Sequence, residues 1–294
     1  MAHRKLILSF DMETDIGSWT HEVCGITEGT PAILRVLRRH DVPATFLFTG
    51  REAQNNPASV ESVLSDGHEV GCHTMYHETI GRPVYDVPVG SFSLDSEIES
   101  RLLLATDTIE KIAGVRPVSF RAPRLFGSTA MINCLERLGY LADSSFPAYY
   151  HGREFVPYHP LRDDWSRDGG LRIWEIPVFY DMDAQATDDK NRSRDQWPML
   201  RLKGGEWFAD LCRRMFARVL AGRDECVLCA YLHSWEFVEM PRKVTTDECT
   251  IAFEPFLYHK TGPAAVKALD DFLGMMRGDG VTFITMKAFA NGSP

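Results

Sequence analysis

The chain has no apolar run approaching the ~18 residues that a membrane-spanning helix needs, so no α-helical membrane span is expected. It also lacks a surplus of positive charge. With 32 Lys and Arg against 41 Asp and Glu, the formal net charge is -9, which argues against a nucleic-acid backbone as the main partner. That balance leaves room for a cation in an acidic pocket. The seven cysteines, at positions 24, 72, 134, 212, 226, 229 and 249, form no disulfide-like framework, and their odd number points to a reducing compartment. Cys226 and Cys229 sit inside the apolar run Cys226–Leu232. No second pair lies at zinc-finger spacing, so they read as buried thiols rather than metal or redox residues. No signal-peptide core separates Met1 from the first apolar run, and a cytoplasmic location is expected. Internal repeats and low-complexity segments are missing too.

The rest of the composition is that of a soluble globular protein, with 44% hydrophobic and 25% charged residues. At 294 residues folding can bury roughly 75% of the unfolded chain's surface. A single α/β domain over residues 1–294 is the expected organisation. Its rhythm is strand, polar residue, helix. Leu6-Ile7-Leu8 reads as a buried strand that closes on Asp11 and Glu13. Thr30 and Pro31 supply an N-cap and first position for a helix through Arg39. Strands follow over 42–48, 69–72, 117–120 and 140–142, with helices near 60–64, 94–113 and 130–138 between them. Such alternation argues for parallel sheet, and at least six units over this length favour a distorted (β/α) barrel over an open sheet. Residues 148–205 break the rhythm. They hold one strand, over 171–178, among long polar loops, and read as an insertion over the site. A helix over 207–220, a strand over 226–232, a helix over 264–276 and a last strand over 281–284 restore the pattern.

The polar residues that end the strands carry the chemistry. Asp11, Glu13 and Asp15 crowd the end of the first strand, where a lone carboxylate would read as a helix cap but three are costly to bury unless paired or holding a metal. His73 and His77, four residues apart after another strand, can reach one ion if they share a helical turn. Arg121, with Arg124 three residues on, could hold a carboxylate ionised or could be part of a surface pair. Asp143 could equally be a turn cap. His233, beside Trp235 and Glu236, suits a general acid near neutral pH, with a satisfied core histidine as the competing reading. Glu236 could orient it or stand at the surface.

In the order acid, His-x-x-x-His, Arg-x-Pro, Asp, His, these residues resemble the motif series of the polysaccharide deacetylase family (carbohydrate esterase family four). Ser9-Phe10-Asp11, His73–His77, Arg121–Arg124, Asp143–Ser145 and Leu232-His233 carry the likeness. The resemblance implies a distorted barrel of about seven parallel strands with one divalent metal ion. Zinc is the expected ion, with cobalt or another divalent metal as the alternative. Asp11 would be the general base, Arg121 its charge partner, His233 the acid for the leaving amine, and Asp143 would help set the state of His233. His73 and His77 would be metal ligands. Where the common pattern has two adjacent aspartates, this chain has Asp11-Met12-Glu13, which looks like an Asp-x-Asp variant with Glu13 as the carboxylate ligand and Asp15 as its rival. Residues two apart on a strand face the same side, which supports Glu13. Arg124, Trp235 and Tyr76 are the candidate substrate contacts, and a backbone N–H near Arg124 could complete an oxyanion hole. Trp19 and Trp165 could also offer stacking faces to a sugar.

The implied activity is metal-dependent removal of an acyl group, acetyl in the first instance, from an N-acylated sugar or a related small amide. Relatives that hydrolyse cyclic ureides or imides without metal supply one alternative, and an inactive carbohydrate-binding homologue supplies another. The expected partners are small-molecule or oligosaccharide substrates and a second copy of the chain.

Overall fold

Strand β1 (His3–Met12) is the axis of the architecture. Its residues from Leu6 to Met12 are all buried, so the strand is covered on both faces, as a parallel strand inside an α/β protein must be. The structure is a computed structural model that describes residues 3–83, 93–189, 191–245 and 247–292. Six more parallel strands curl away from β1: β2 (Thr45–Phe48), β3 (Glu69–Cys72), β4 (Ser119–Phe120), β5 (Ala142–Asp143), β6 (Trp174–Glu175) and β7 (Glu225–His233). β1 pairs with β2 through Ser9–Met12 on one edge and with β7 through His3–Asp11. The sheet continues β2-β3-β4-β5-β6. Beyond β6 the chain returns to β7 by a single parallel bridge, Val178 to Cys229, which draws the sheet round into a distorted barrel. A last strand, β8 (Thr282–Ile284), pairs with the first half of β1. The expected barrel of about seven parallel strands is what forms.

Helices α1 (Thr30–His40), α2 (Pro57–Ser65), α3 (Ile98–Ala113), α4 (Thr129–Leu138), α5 (Gly205–Leu220) and α6 (Pro263–Gly278) lie in the crossovers. Each turns an apolar stripe to the core, as Ile33, Leu34 and Leu37 of α1 do. No helix among the described residues is long and apolar enough to cross a membrane.

Several local expectations are corrected. Thr30 is not an N-cap: a π-helical turn over Gly25–Gly29 leads straight into α1, and Gly29 already has helical angles. The turn is made instead by Asp15, whose carboxylate accepts the N–H groups of Cys24 (2.9 Å) and Gly25 (2.8 Å). The strand expected over 171–178 shrinks to Trp174–Glu175 plus the bridge at Val178. That pairing makes it a barrel strand, so 148–205 is not wholly an insertion. A small hairpin, Pro160–Leu161 with Asp164–Asp168, packs back on α4 through Trp165 N–H to Thr129 Oγ1 (3.2 Å). A second hairpin, Lys243–Thr245 with Thr250–Ala252, has no counterpart in the sequence reading.

Candidate active site

All the parallel strands point their C-terminal ends to one rim, where active sites of (β/α) barrels gather. A cavity of about 430 Å³ opens there, lined by Asp11, Glu13, His73, His77, Arg124 and His233 among others. Of the other residues singled out in the sequence, Trp235 and Trp19 line it as well. Arg121 lies directly beneath Asp11. Asp143 and Tyr76 lie elsewhere.

The Asp11 carboxylate sits at the end of β1 with Arg121 Nη1 at 2.7 Å from its Oδ1. Arg121 is fully buried and spends its other donors on Ser144 O (3.0 Å), Ser9 Oγ (2.8 Å) and Ser144 Oγ (3.0 Å). A buried guanidinium that is fully bonded is a fixed charge. Burial disfavours that charge, yet Asp11 outweighs it and raises the guanidinium's already high pKa. Asp11 and His233 are register partners on neighbouring strands β1 and β7, so the sheet itself sets them side by side.

Glu13, His73 and His77 converge, with one ligand atom from each lying within 4.8 Å of the others. Glu13 Oε2 is 3.5 Å from His73 Nε2 and against His77 Nε2. The two imidazoles do not share a helical turn. They flank a tight turn in which Thr74 (φ 65°) and His77 (φ 58°) take the left-handed conformation, a strained arrangement typical of functional sites. His73 Nδ1 lies 2.7 Å from the carbonyl of Arg121. That contact makes Nδ1 the donor to the carbonyl, so Nε2 is the nitrogen that faces Glu13. Burial drives Glu13 upward, but His77 and His73 reverse this and hold it well below the usual carboxylate range. Burial pushes His77 down, against the pull of Glu13. Both shifts lean toward the deprotonated forms that a divalent ion requires of its ligands. The donor set therefore fits one divalent ion. Asp15, bonded to the backbone of Cys24 and Gly25, stands outside this cluster.

His233 is held by Glu236, not by Asp143. Glu236 Oε1 accepts from the His233 backbone N–H (2.9 Å), lies 3.2 Å from its Nδ1 and accepts Trp197 Nε1 (2.8 Å). Its Oε2 takes Arg201 Nε at 2.7 Å. Burial alone would raise the Glu236 carboxyl, but His233 and Arg201 bring it down to about 2. His233 in turn is raised: burial works against its charge, and Glu236, Glu13 and Asp11 overcome it. Its ring stacks near Trp235 at 5.3 Å.

Asp143 belongs to a different cluster. It is in register with Glu175 across β5 and β6 and accepts Ser145 Oγ at 2.5 Å. Glu175 Oε1 takes the N–H groups of Ser145 (3.1 Å) and Phe146 (3.0 Å). Burial raises Asp143 to about 6 and Glu175 well above the usual range, the state of two carboxyls sharing a proton. Ser145 Oγ also receives the Ala122 N–H (2.8 Å), which steadies the turn after Arg121. Tyr76 is half exposed, off the cavity, with its N–H on Glu78 (2.6 Å). Trp165 packs on Phe146 at 5.2 Å, while Trp19 does line the cavity.

Sequence reasoning missed Trp197, Arg201, Arg192 and the wall from Ile251 to Leu257. Trp197 and Arg192 come from the polar stretch after Val178, and no local pattern marks them. Arg201 reaches Glu236 across 35 positions of chain, a distance that only the fold reveals.

A barrel with this rim is the shape of the polysaccharide deacetylases, and that family's sequence pattern matches residues 2–142. The matched residues make up just under half of the 294-residue chain. Over 111 residues it is 34% identical to the peptidoglycan-N-acetylglucosamine deacetylase of Bacillus cereus, covering 38% of this chain and 47% of that protein. The chain thus matches less than half the length of that relative. Among solved structures, a Mycobacterium smegmatis protein assigned to the polysaccharide deacetylases superposes with TM-score 0.64 at 20% identity, over 99% of this chain and 90% of that one. The PuuE allantoinase superposes with TM-score 0.62 at 16% identity, over 99% and 90% respectively. These likenesses establish the fold.

Proposed function

We propose that this chain is a metal-dependent amide hydrolase that removes an acyl group, acetyl in the first instance, from an N-acylated sugar or a related small amide. The observation that carries the reading is the placing of three groups on one rim: the Glu13–His73–His77 donor set, Asp11 backed by Arg121, and His233 backed by Glu236. A divalent ion held by Glu13, His73 and His77, with zinc the first expectation, would polarise the amide carbonyl and acidify a water molecule. Asp11, ion-paired with the buried Arg121 guanidinium, is placed to accept a proton from the attacking water. His233, protonated and oriented through Nδ1 by Glu236, then delivers a proton to the leaving nitrogen and prevents its expulsion as an amide anion. Arg124 and Leu125, both left-handed with φ of 60° and 59°, turn the backbone at the cavity wall, where an N–H could meet the carbonyl oxygen. The allantoinase likeness is one of fold. The complete donor set supports the metal-dependent reading over metal-free opening of a cyclic ureide.

Release of acetate from N-acetylated glucosamine, its oligomers and simple N-acetyl amines tests the reading. Turnover that falls by about 10²–10⁴ in Asp11→Asn and in His233→Gln is expected, the ordinary range for a lost acid or base. Asp11→Asn turning over substrate at the parent's rate would sink the assignment.

A further inference from the structure

The cavity beyond the reacting groups is built unlike a sugar cleft. Its wall is Ile16, Ile251, Phe253, Phe256 and Leu257, with Trp19 at the opening. No Ser, Thr, Asn, Gln or Lys lines it among the described residues. A pyranose carries hydroxyls around its whole edge, and each one buried without a partner is costly. The acidic groups and imidazoles that face the cavity are already engaged: Asp11 with Arg121, Glu13 with the two imidazoles, His233 with Glu236. Glu254 is exposed. Two cations remain, Arg192 and Arg124. Arg192 leans on Trp197 at 5.9 Å and donates to Tyr149 Oη at 3.2 Å. Arg124 is different, because its half-buried guanidinium has no hydrogen-bond or ion-pair partner among the described residues. It is nevertheless held at the cavity by two successive left-handed residues, itself and Leu125, and strain of that kind persists where a position serves a function.

We propose that Arg124 is an anion subsite, and that the preferred substrates are compact amides with an apolar or aromatic body and a carboxylate or comparable acid, rather than neutral oligosaccharides. The volume of about 430 Å³ suits a molecule of that size. The apolar wall takes the body by desolvation, and the guanidinium takes the acid as a paired, charge-assisted contact. This rests on the amide-hydrolase reading and chooses among its substrates.

The test has two arms. In the first, kcat/KM is measured for N-acetylphenylalanine, N-acetylphenethylamine, N-acetylglucosamine and its oligomers. The acid should exceed its uncharged counterpart by about tenfold or more, the worth of one good charged contact, and both should exceed the sugars. In Arg124→Gln the acid-to-neutral ratio should fall to near one, with Arg124→Lys retaining part of it. In the second arm, calorimetry compares 3-phenylpropanoate with 3-phenylpropanol on the parent and on Arg124→Gln. Carboxylate-dependent binding that Arg124→Gln abolishes, with no amide cleaved, would keep the subsite and remove the hydrolase reading. Amide cleavage led by the sugars, or a charge preference that Arg124→Gln leaves unchanged, would overturn the subsite and keep the hydrolase.

Discussion

Replacing Glu236 with glutamine should weaken both the fold and the acid. The carboxylate is buried, and it gathers Arg201, Trp197 and both the backbone and the ring of His233. The neutral amide keeps the volume and removes the charge. Arg201 would keep its bonds to His259 O (2.7 Å) and Phe256 O (2.5 Å) but lose its counter-ion while still buried. Breaking one side of such a buried pair costs about 3–5 kcal/mol, a large part of the roughly 5–15 kcal/mol that holds a domain folded. The pH dependence has a definite sign. Glu236 is depressed from 4.5 to about 2, so its stabilising effect is present above 4.5 and lost as pH falls toward 2. His233 is raised from 6.5, so its effect is present below 6.5 and lost as pH rises through its folded value. The gap between parent and variant should therefore be widest between 4.5 and 6.5, and should narrow on the alkaline side. Urea unfolding inside that window and at alkaline pH measures it. The alkaline limb of kcat should move to lower pH in the variant, because the protonated ring has lost its partner. A loss below about 1 kcal/mol, equal at both pH values and with an unmoved limb, would refute the reasoning.

Other consequences follow from the packing. Arg121→Met should cost about 3–5 kcal/mol in urea unfolding by leaving Asp11 buried without its cation, and adding Asp11→Leu should recover part of that loss. Gly25→Ala should cost about 1–3 kcal/mol, since a Cβ there would meet the backbone of Trp235; a neutral effect would mean the Ser234–Phe237 turn is looser than the structure shows. A thiol reagent should modify Cys249 fast in the native protein, the buried cysteines only after unfolding, because Cys249 alone among the seven is exposed.

The barrel was legible because each buried strand announces itself. Leu6-Ile7-Leu8 and Val227–Leu232 are apolar on both faces, and the polar residue after each marks the rim. The same logic located Asp11, Glu13, His73, His77, Arg121 and His233. It failed where geometry depends on contacts remote in sequence. The histidine pair looked helical because four-residue spacing is a helix signal, but the turn uses left-handed angles at Thr74 and His77 that the spacing does not signal. Thr30 looked like a cap because Ser and Thr before Pro usually are, yet Asp15 organises that corner from ten residues upstream of Gly25. Asp143 fitted a motif by order alone, and its partner Glu175 becomes visible only when β5 and β6 pair. The carboxylate on His233 was within reach in the sequence, three residues on, with nothing there to distinguish it from a surface glutamate.

The ion site is central to the chemistry, so the decisive measurement is the divalent-metal content of the purified protein beside its His73→Ala and His77→Ala variants. One ion per chain in the parent, lost in both variants while they remain folded by circular dichroism, is the predicted result. A parent that takes up no divalent ion when one is supplied, and whose amide hydrolysis survives a chelator, would contradict it and leave Asp11 and His233 to carry the chemistry.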